Sequence, residues 1–223
     1  MENLKLKKHH KLIISADGGA ASGKTTGAKL ISKKYGLKFL SSGLLYRYAS
    51  YLLLKDKPKN KISYLDKCFK KLSLKKLEKI NLHSPKISEY SSIIAKEKKI
   101  RNVLKLFQKN FSKKFNKVCI EGRDIGTVIL PQADIKFFFT CSLNVAAKRR
   151  FRELRKINDK IKFQDVKKAI HKRNNLDKNR KNSPLIRAKN AVIVPTDKLK
   201  NIKGMLNKMS EVVEKKIIDK YGS

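Results

Sequence analysis

The residues best equipped for chemistry lie in one run near the amino end, Ile14-Ser15-Ala16-Asp17-Gly18-Gly19-Ala20-Ala21-Ser22-Gly23-Lys24-Thr25-Thr26. Gly18, Gly23, Lys24 and Thr25 stand at the spacing of a phosphate-binding loop, G-x-x-x-x-G-K-T. Small residues here let backbone N–H groups curl around an anion at a helix N-terminus, where unpaired donors and the helix dipole favour negative charge. Gly19, Ala20, Ala21, Ser22 and Thr26 complete that cradle. Lys24 would reach the β- and γ-phosphates, and the Thr25 hydroxyl would ligate Mg²⁺. The run points to a nucleoside triphosphate site without naming the acceptor of the phosphate.

Arginine is scarce against lysine in this chain, so its positions are informative. Arg47 lies in Ser41-Ser42-Gly43-Leu44-Leu45-Tyr46-Arg47, and Arg123 in Glu121-Gly122-Arg123-Asp124-Ile125-Gly126-Thr127-Val128. Each segment follows a strand-like run. Both strand ends are expected at the carboxyl edge of a parallel sheet, where open α/β folds bind ligands. A guanidinium grips two phosphate oxygens at once, as an ammonium cannot. A third group, Arg173, Asp177 and Arg180, falls at i, i+4 and i+7 of a predicted helix and shares one face. Upstream, Arg149, Arg150 and Arg152 crowd positive charge onto another helix, and the two stretches together read as a basic lid over polyphosphate.

These residues have to be positioned by alternating elements. Short β-type runs at Lys11–Ala16, Lys38–Leu40, Val118–Glu121, Ile135–Thr140 and Ala191–Val194 are separated by longer helical patterns, the signature of a parallel sheet with crossover helices. A helix over Gly27 to Lys34 follows the phosphate loop. Leu143, Ala147, Phe151 and Leu154 recur at helical spacing, as do Ile202, Met205, Met209, Val212 and Val213, and both stripes are expected to face the core. Residues 57–92 are Lys-rich, weakly periodic and carry Pro58 and Pro85; they read as a small lobe inserted between the second and third strands. The whole chain, 1–223, is expected to form a single domain. Its core would be 11–56, 97–148 and 184–223, with an insert at about 57–96 and a lid at about 149–183.

Composition narrows the function classes. Charged residues make up 33% of the 223, and Lys+Arg 56 against Asp+Glu 18 gives a formal charge of +38. The longest apolar stretch, Tyr48 to Leu54, is far below the ~20 residues of a spanning helix, and no signal-peptide core follows the basic amino end. Three cysteines, Cys68, Cys119 and Cys141, lack metal-ligand spacing and read as reduced thiols of a cytoplasmic protein. Strong positive charge is also the footprint of nucleic-acid binding. Here the charge is lysine spread over nearly the whole chain, which reads as a compositional preference; no specific nucleic acid and no membrane is expected as a partner. On the residues alone, the acceptor could be a nucleoside monophosphate, shikimate or dephospho-coenzyme A, and a basic nucleic-acid-binding NTPase is the reading from another class.

The motifs in order carry a resemblance. The phosphate loop, Ser42-Gly43-x-x-Tyr46-Arg47, Ile100-Arg101-x-x-Leu104, Gly122-Arg123-Asp124-x-Gly126-Thr127-Val128-x-x-Pro131-x-Ala133 and Arg173-x-x-x-Asp177-x-x-Arg180-x-x-x-Pro184-Leu185 resemble bacterial cytidylate kinases from about Ile13 to Thr196. The resemblance implies an α/β fold, a P-loop NTPase three-layer sandwich with a five-stranded parallel sheet, an inserted monophosphate-binding lobe and a short lid. It implies transfer of the γ-phosphoryl group of ATP to CMP or dCMP with Mg²⁺, by a monomer. By position, Arg47, Arg123 and Arg180 would hold the acceptor phosphate or the transferring group. Ser92, Arg101 and Asp124 would face cytosine, and Ser42, Arg173 and Asp177 would lie near the sugar. Lys24, Arg123, Asp124 and Arg180 are the expected catalytic set. Cytosine offers an N4 donor with N3 and O2 acceptors, which suits Asp124 or Ser92 paired with Arg101. Uracil would leave the carboxylate facing a carbonyl. The chain departs from the family pattern at Glu121, Ser41 and Asn174, each usually Asp, at His83, commonly Arg, and at Pro195, usually Asp; the insert is also shorter than in the long bacterial type.

Overall fold

The computed structural model describes residues 6–199 and 201–222. Five strands, β1 (Leu12–Gly18), β2 (Lys38–Ser41), β3 (Lys117–Gly122), β4 (Ile135–Thr140) and β5 (Val192–Pro195), form one parallel sheet in the order β2-β3-β1-β4-β5. Helices α1 (Lys24–Tyr35), α2 (Ser42–Asp56), α3 (Lys61–Lys70), α4 (Leu74–Glu78), α5 (Pro85–Ile94), α6 (Lys98–Lys114), α7 (Leu143–Arg155), α8 (Phe163–Asn179) and α9 (Ile202–Tyr221) connect and flank them. A single π-helical turn, Ile125–Ile129, follows β3. All five predicted strands are present, each within two residues of the expected bounds at either end.

β1 is central because its sequence allows nothing else. Leu12-Ile-Ile-Ser-Ala-Asp-Gly18 is buried at every position but Ile13, and a strand covered on both faces must carry a near-continuous apolar run. Leu12, Ile14 and Ala16 point to one face, where Phe137 and Phe139 of β4 join Ala28 and Ile31 of α1 and Met205, Met209 and Val213 of α9. Ile202 shares the face of Met205 yet is 59% exposed, because that face is covered only from Met205 onward. The predicted stripe of α9 therefore begins one turn later than its periodicity implies.

Two compact units divide the chain, one of residues up to Leu40 with Phe115 onward, the other Ser41–Lys114. Past Ser41, the last residue of β2, the regular structure of the second is all helical. Leu45, Tyr48, Leu65, Phe69, Ile94, Ile100 and Leu104 are buried in it, and Phe69 meets Tyr48 and Phe107 edge-on at ring distances of 5.8 and 5.5 Å. It extends beyond 57–96 at both ends because α2 packs on α5 and α3 packs on α6. Within the first unit, α7 and α8 bury Ala146, Ala147, Val166 and Ile170 against each other, with Ala20 and Ala21 of the phosphate loop packed beside them. Among the described residues no helix is long and apolar enough to cross a membrane.

Candidate active site

The phosphate loop starts where β1 ends, with Asp17 opposite Gly122 of β3 and Gly18 opposite Phe139 of β4. Only hydrogen fits on Gly18, since a Cβ there would stand 2.5 Å from the Phe139 carbonyl oxygen. Gly23 takes the left-handed conformation, φ 83°, that turns the chain into α1. Ala21 is also left-handed, φ 53°, at a cost on the order of 1–2 kcal/mol for a residue with a Cβ. Strain of this kind collects at ligand sites. The Ser22 hydroxyl is buried with no hydrogen-bond partner among the described residues, and Thr25 and Thr26 stand exposed at the first turn of α1.

Lys24 is buried, and its Nζ donates to the Gly19 carbonyl at 3.1 Å and lies 3.9 Å from Glu121 Oε2. Burial lowers its pKa to about 7, and the positive charges of Arg123 and Arg173 push the same way against Glu121 and Asp177. The site thus holds excess cationic groups around an ammonium that lacks solvent, an arrangement that an anion relieves.

Across from the loop, Arg123 Nε donates to Asp177 Oδ2 at 2.8 Å. Arg180 lies 3.5 Å from Asp177 Oδ1 and 3.6 Å from Asp124 Oδ1. Burial would raise the Asp177 carboxyl, but Arg123, Arg173 and Arg180 hold it below the usual carboxylate value. The shared helical face expected for 173, 177 and 180 ends one residue early. α8 stops at Asn179 and Arg180 is extended, φ −68° and ψ 137°, and its Nε donates back to Ser183 O at 2.5 Å. That turn, rather than helical spacing, brings Arg180 to Asp124. Asn174 of α8 accepts the Ala20 N–H at 2.8 Å, directly on the phosphate loop.

The three α7 arginines expected in the lid, Arg149, Arg150 and Arg152, separate. Arg149 donates from both terminal nitrogens to Thr196, at 2.8 Å to Oγ1 and 2.9 Å to O, and Thr196 Oγ1 donates to Ser22 O at 2.9 Å. Arg150 pairs with Glu153 at 2.9 Å, and Arg152 is exposed. Arg149 is thus fastened to the segment after β5, which in turn fastens the phosphate loop.

The remaining predicted residues belong to the helical unit. Ser42 is buried at the start of α2, whose cap is the Ser41 hydroxyl accepting the Leu44 N–H. Arg47 Nη1 donates to His83 Nδ1 at 2.8 Å. Ser92 bonds to Ser88 O at 3.4 Å. Arg101 is buried, donates to Ala95 O at 3.2 Å and sits 5.6 Å from the Tyr46 ring centre.

Two residues of the site, Asp17 and Thr196, were not singled out from sequence, and a third, Asn174, was noted only as a departure from the family pattern. Asp17, an acid in an apolar strand, offered a signal, since such a residue is rarely buried without a task. Asn174 stood inside the recognised lid pattern without an assigned role. Thr196 carried no signal at all.

A family model, cytidylate kinase, matches residues 14–215. The cytidylate kinase of Clostridium tetani is 33% identical over 223 residues, covering 95% of this chain and 98% of that protein. That of Bartonella tribocorum is 38% identical over 192 residues, covering 84% and 87%. Among solved structures, TT1252 from Thermus thermophilus (TM-score 0.51, 13% identity, 92% of this chain and 98% of that chain) and the shikimate kinase of Bacteroides thetaiotaomicron (0.51, 14%, 91% and 98%) share the fold. With a family match over most of its length and relatives above 30% identity along nearly all of it, the chain belongs to the cytidylate kinase family.

Proposed function

We propose that this protein transfers the γ-phosphoryl group of ATP to CMP or dCMP, releasing ADP and CDP or dCDP. The observation that carries the reading is the group Arg123, Asp177, Arg180 and Asp124, joined by contacts of 2.8 to 3.6 Å, in the same unit as a phosphate loop whose lysine is buried. Phosphoryl transfer demands positioning and charge neutralisation more than covalent chemistry. Lys24 and the loop N–H groups hold the donor. Arg123 and Arg180, each engaged with Asp177, exchange that carboxylate for phosphate oxygens as the acceptor arrives. Arg47 grips the acceptor phosphate, Ser42, Arg173 and Asp177 serve the sugar, and Ser92, Arg101 and Asp124 serve the cytosine edge.

Mg²⁺ fits the residues present, because Thr25 offers a hydroxyl and Glu121 a carboxylate, the hard oxygen donors this ion takes. Thr25 would hold it directly and Glu121 through water. Held there, it would supply positive charge to offset the charge that develops on the transferred phosphoryl group. The protein acts as a monomer in the cytoplasm.

Release of ADP measured with CMP, dCMP, UMP, AMP, dTMP and shikimate in turn tests the proposal. CMP or dCMP should exceed UMP in kcat/KM by about tenfold or more, the worth of one good polar contact at the base. Faster turnover of AMP, dTMP or shikimate than of either cytidine nucleotide overturns it.

A further inference from the structure

Asp17, the penultimate residue of β1, is 3% exposed. Its Oδ1 accepts the Ile125 N–H at 2.8 Å and its Oδ2 accepts the Gly126 N–H at 2.7 Å. Those two groups open the π-helical turn Ile125–Ile129, whose cap position belongs to Asp124. An aspartate at a cap ordinarily turns its carboxylate onto the free N–H groups of its own helix. Asp124 makes no such bond, and its Oδ1 instead lies 3.6 Å from Arg180 Nη2. The cap comes from β1, and the Asp124 carboxylate is engaged away from its own turn, at Arg180.

The fit between turn and strand is tight. A Cβ on Gly126 would stand 2.8 Å from Ser15 Oγ and 3.3 Å from Asp17 Oδ2, so the turn is seated directly on β1. Both carboxylate oxygens receive an N–H, the pattern that suits an ionised group. Burial pushes the Asp17 carboxyl up to about 7, the two N–H bonds pull it down, and Asp124 and Glu121 add to the upward push.

We propose that Asp17 is a positioning residue for base selection: by capping the turn from β1 it removes the local alternative for Asp124 and holds that carboxylate where the acceptor base is read. This rests on the assignment of Asp124 to the cytosine edge. Asparagine at position 17 keeps one acceptor oxygen and sets an amide donor against the second N–H. One buried donor then loses its partner, and Asp124 is drawn back to satisfy it.

The test compares the parent, Asp17→Asn, Asp124→Asn and the double variant, with kcat and KM for CMP, UMP and ATP. Asp17→Asn should raise KM for CMP and cut the CMP/UMP ratio of kcat/KM by about tenfold, while KM for ATP stays within about twofold. The double variant should be no worse in that ratio than Asp124→Asn alone, because the two residues act through one carboxylate. An unchanged ratio in Asp17→Asn beside a collapsed ratio in Asp124→Asn, or losses that add in the double variant, overturns the role of Asp17 alone. An unchanged ratio in Asp124→Asn overturns the base-reading assignment and the positioning role with it. Should Asp17→Asn not fold, amide hydrogen exchange in Asp124→Asn decides. Exchange at Ile125 and Gly126 as slow as in the parent supports a cap from β1, and faster exchange at those amides overturns it.

Discussion

Asn174 Oδ1 accepts the backbone N–H of Ala20 at 2.8 Å, so α8 occupies one of the donors with which the phosphate loop would hold polyphosphate. A side-chain amide is a neutral acceptor and a phosphate oxygen a charged one, and charge-assisted hydrogen bonds are roughly twice as strong. ATP therefore has the advantage in the exchange. Because α8 also carries Arg173 and Asp177, displacing Asn174 is coupled to the rearrangement of the cationic group.

Replacing Asn174 changes the competition in opposite directions. Asn174→Ala leaves Ala20 to the ligand and should tighten ATP about threefold to fivefold in the absence of CMP, the worth of one net hydrogen bond. Asn174→Asp places a carboxylate on the loop and should weaken ATP about tenfold by charge repulsion. Titration calorimetry with a non-hydrolysable ATP analogue measures both. Equal affinities in all three proteins would show that the contact does not compete.

Lys24 supports a prediction in pH as well as in rate. Lys24→Ala should lower kcat about a hundredfold or more with an unchanged circular dichroism spectrum. In the ligand-free protein its pKa is lowered from 10.5 to about 7. The unfolded chain thus binds more protons than the folded one between those values, and this group adds stability as pH rises through that window. Polyphosphate restores the charge. Binding near pH 8 should take up on the order of one proton, read from calorimetry in buffers of different ionisation enthalpy, and Lys24→Met should abolish that uptake.

Arg180→Lys keeps the charge and removes the planar fork that now spans Asp124 and Asp177. We expect kcat to fall about tenfold or more with a smaller rise in KM for ATP, the pattern of an interaction made mainly in the transition state. Steady-state kinetics with CMP varied and ATP varied separate the two parameters. Parental turnover would reduce Arg180 to a structural partner of Asp177.

Arg149 should behave as an anchor. Arg149→Ala removes two bonds to Thr196 and loosens the hold of Thr196 on Ser22 O. A rise of about fivefold in KM for ATP is expected, with a fall in Tm of about 3–6 °C. A change in kcat exceeding that in KM would mean Arg149 meets the transferring group instead.

The sheet was legible because burial on both faces writes itself into β1 as an apolar run closed by Gly18, and because β4 carries the aromatic run Phe137-Phe138-Phe139 up to Thr140. The phosphate loop was legible because Gly18 and Gly23 are demanded by close approach and by a left-handed φ. Arg180 shows the boundary: spacing placed it on a helix, but the chain leaves that helix at Asn179, and the turn closed on Ser183 aims the side chain. Ser183 at φ 54° is an irregular turn that periodicity does not report. Asp17 with Ile125, Asn174 with Ala20 and Arg149 with Thr196 are separated by 108, 154 and 47 residues. Such pairings depend on strand order, which local patterns leave open.

Strand order also sets a timetable for synthesis. β1 is made first, yet its neighbours are β3 and β4, and its first partner, Lys117, stands 105 positions after Leu12. At ~5–20 residues per second on the ribosome, this apolar strand waits roughly 5–20 s for a mate. The segment emerging in that interval is Ser41–Lys114, the helical unit that packs on itself. Nascent chains of this protein should therefore gain helix before sheet, with β1 the segment most in need of a chaperone until β3 appears.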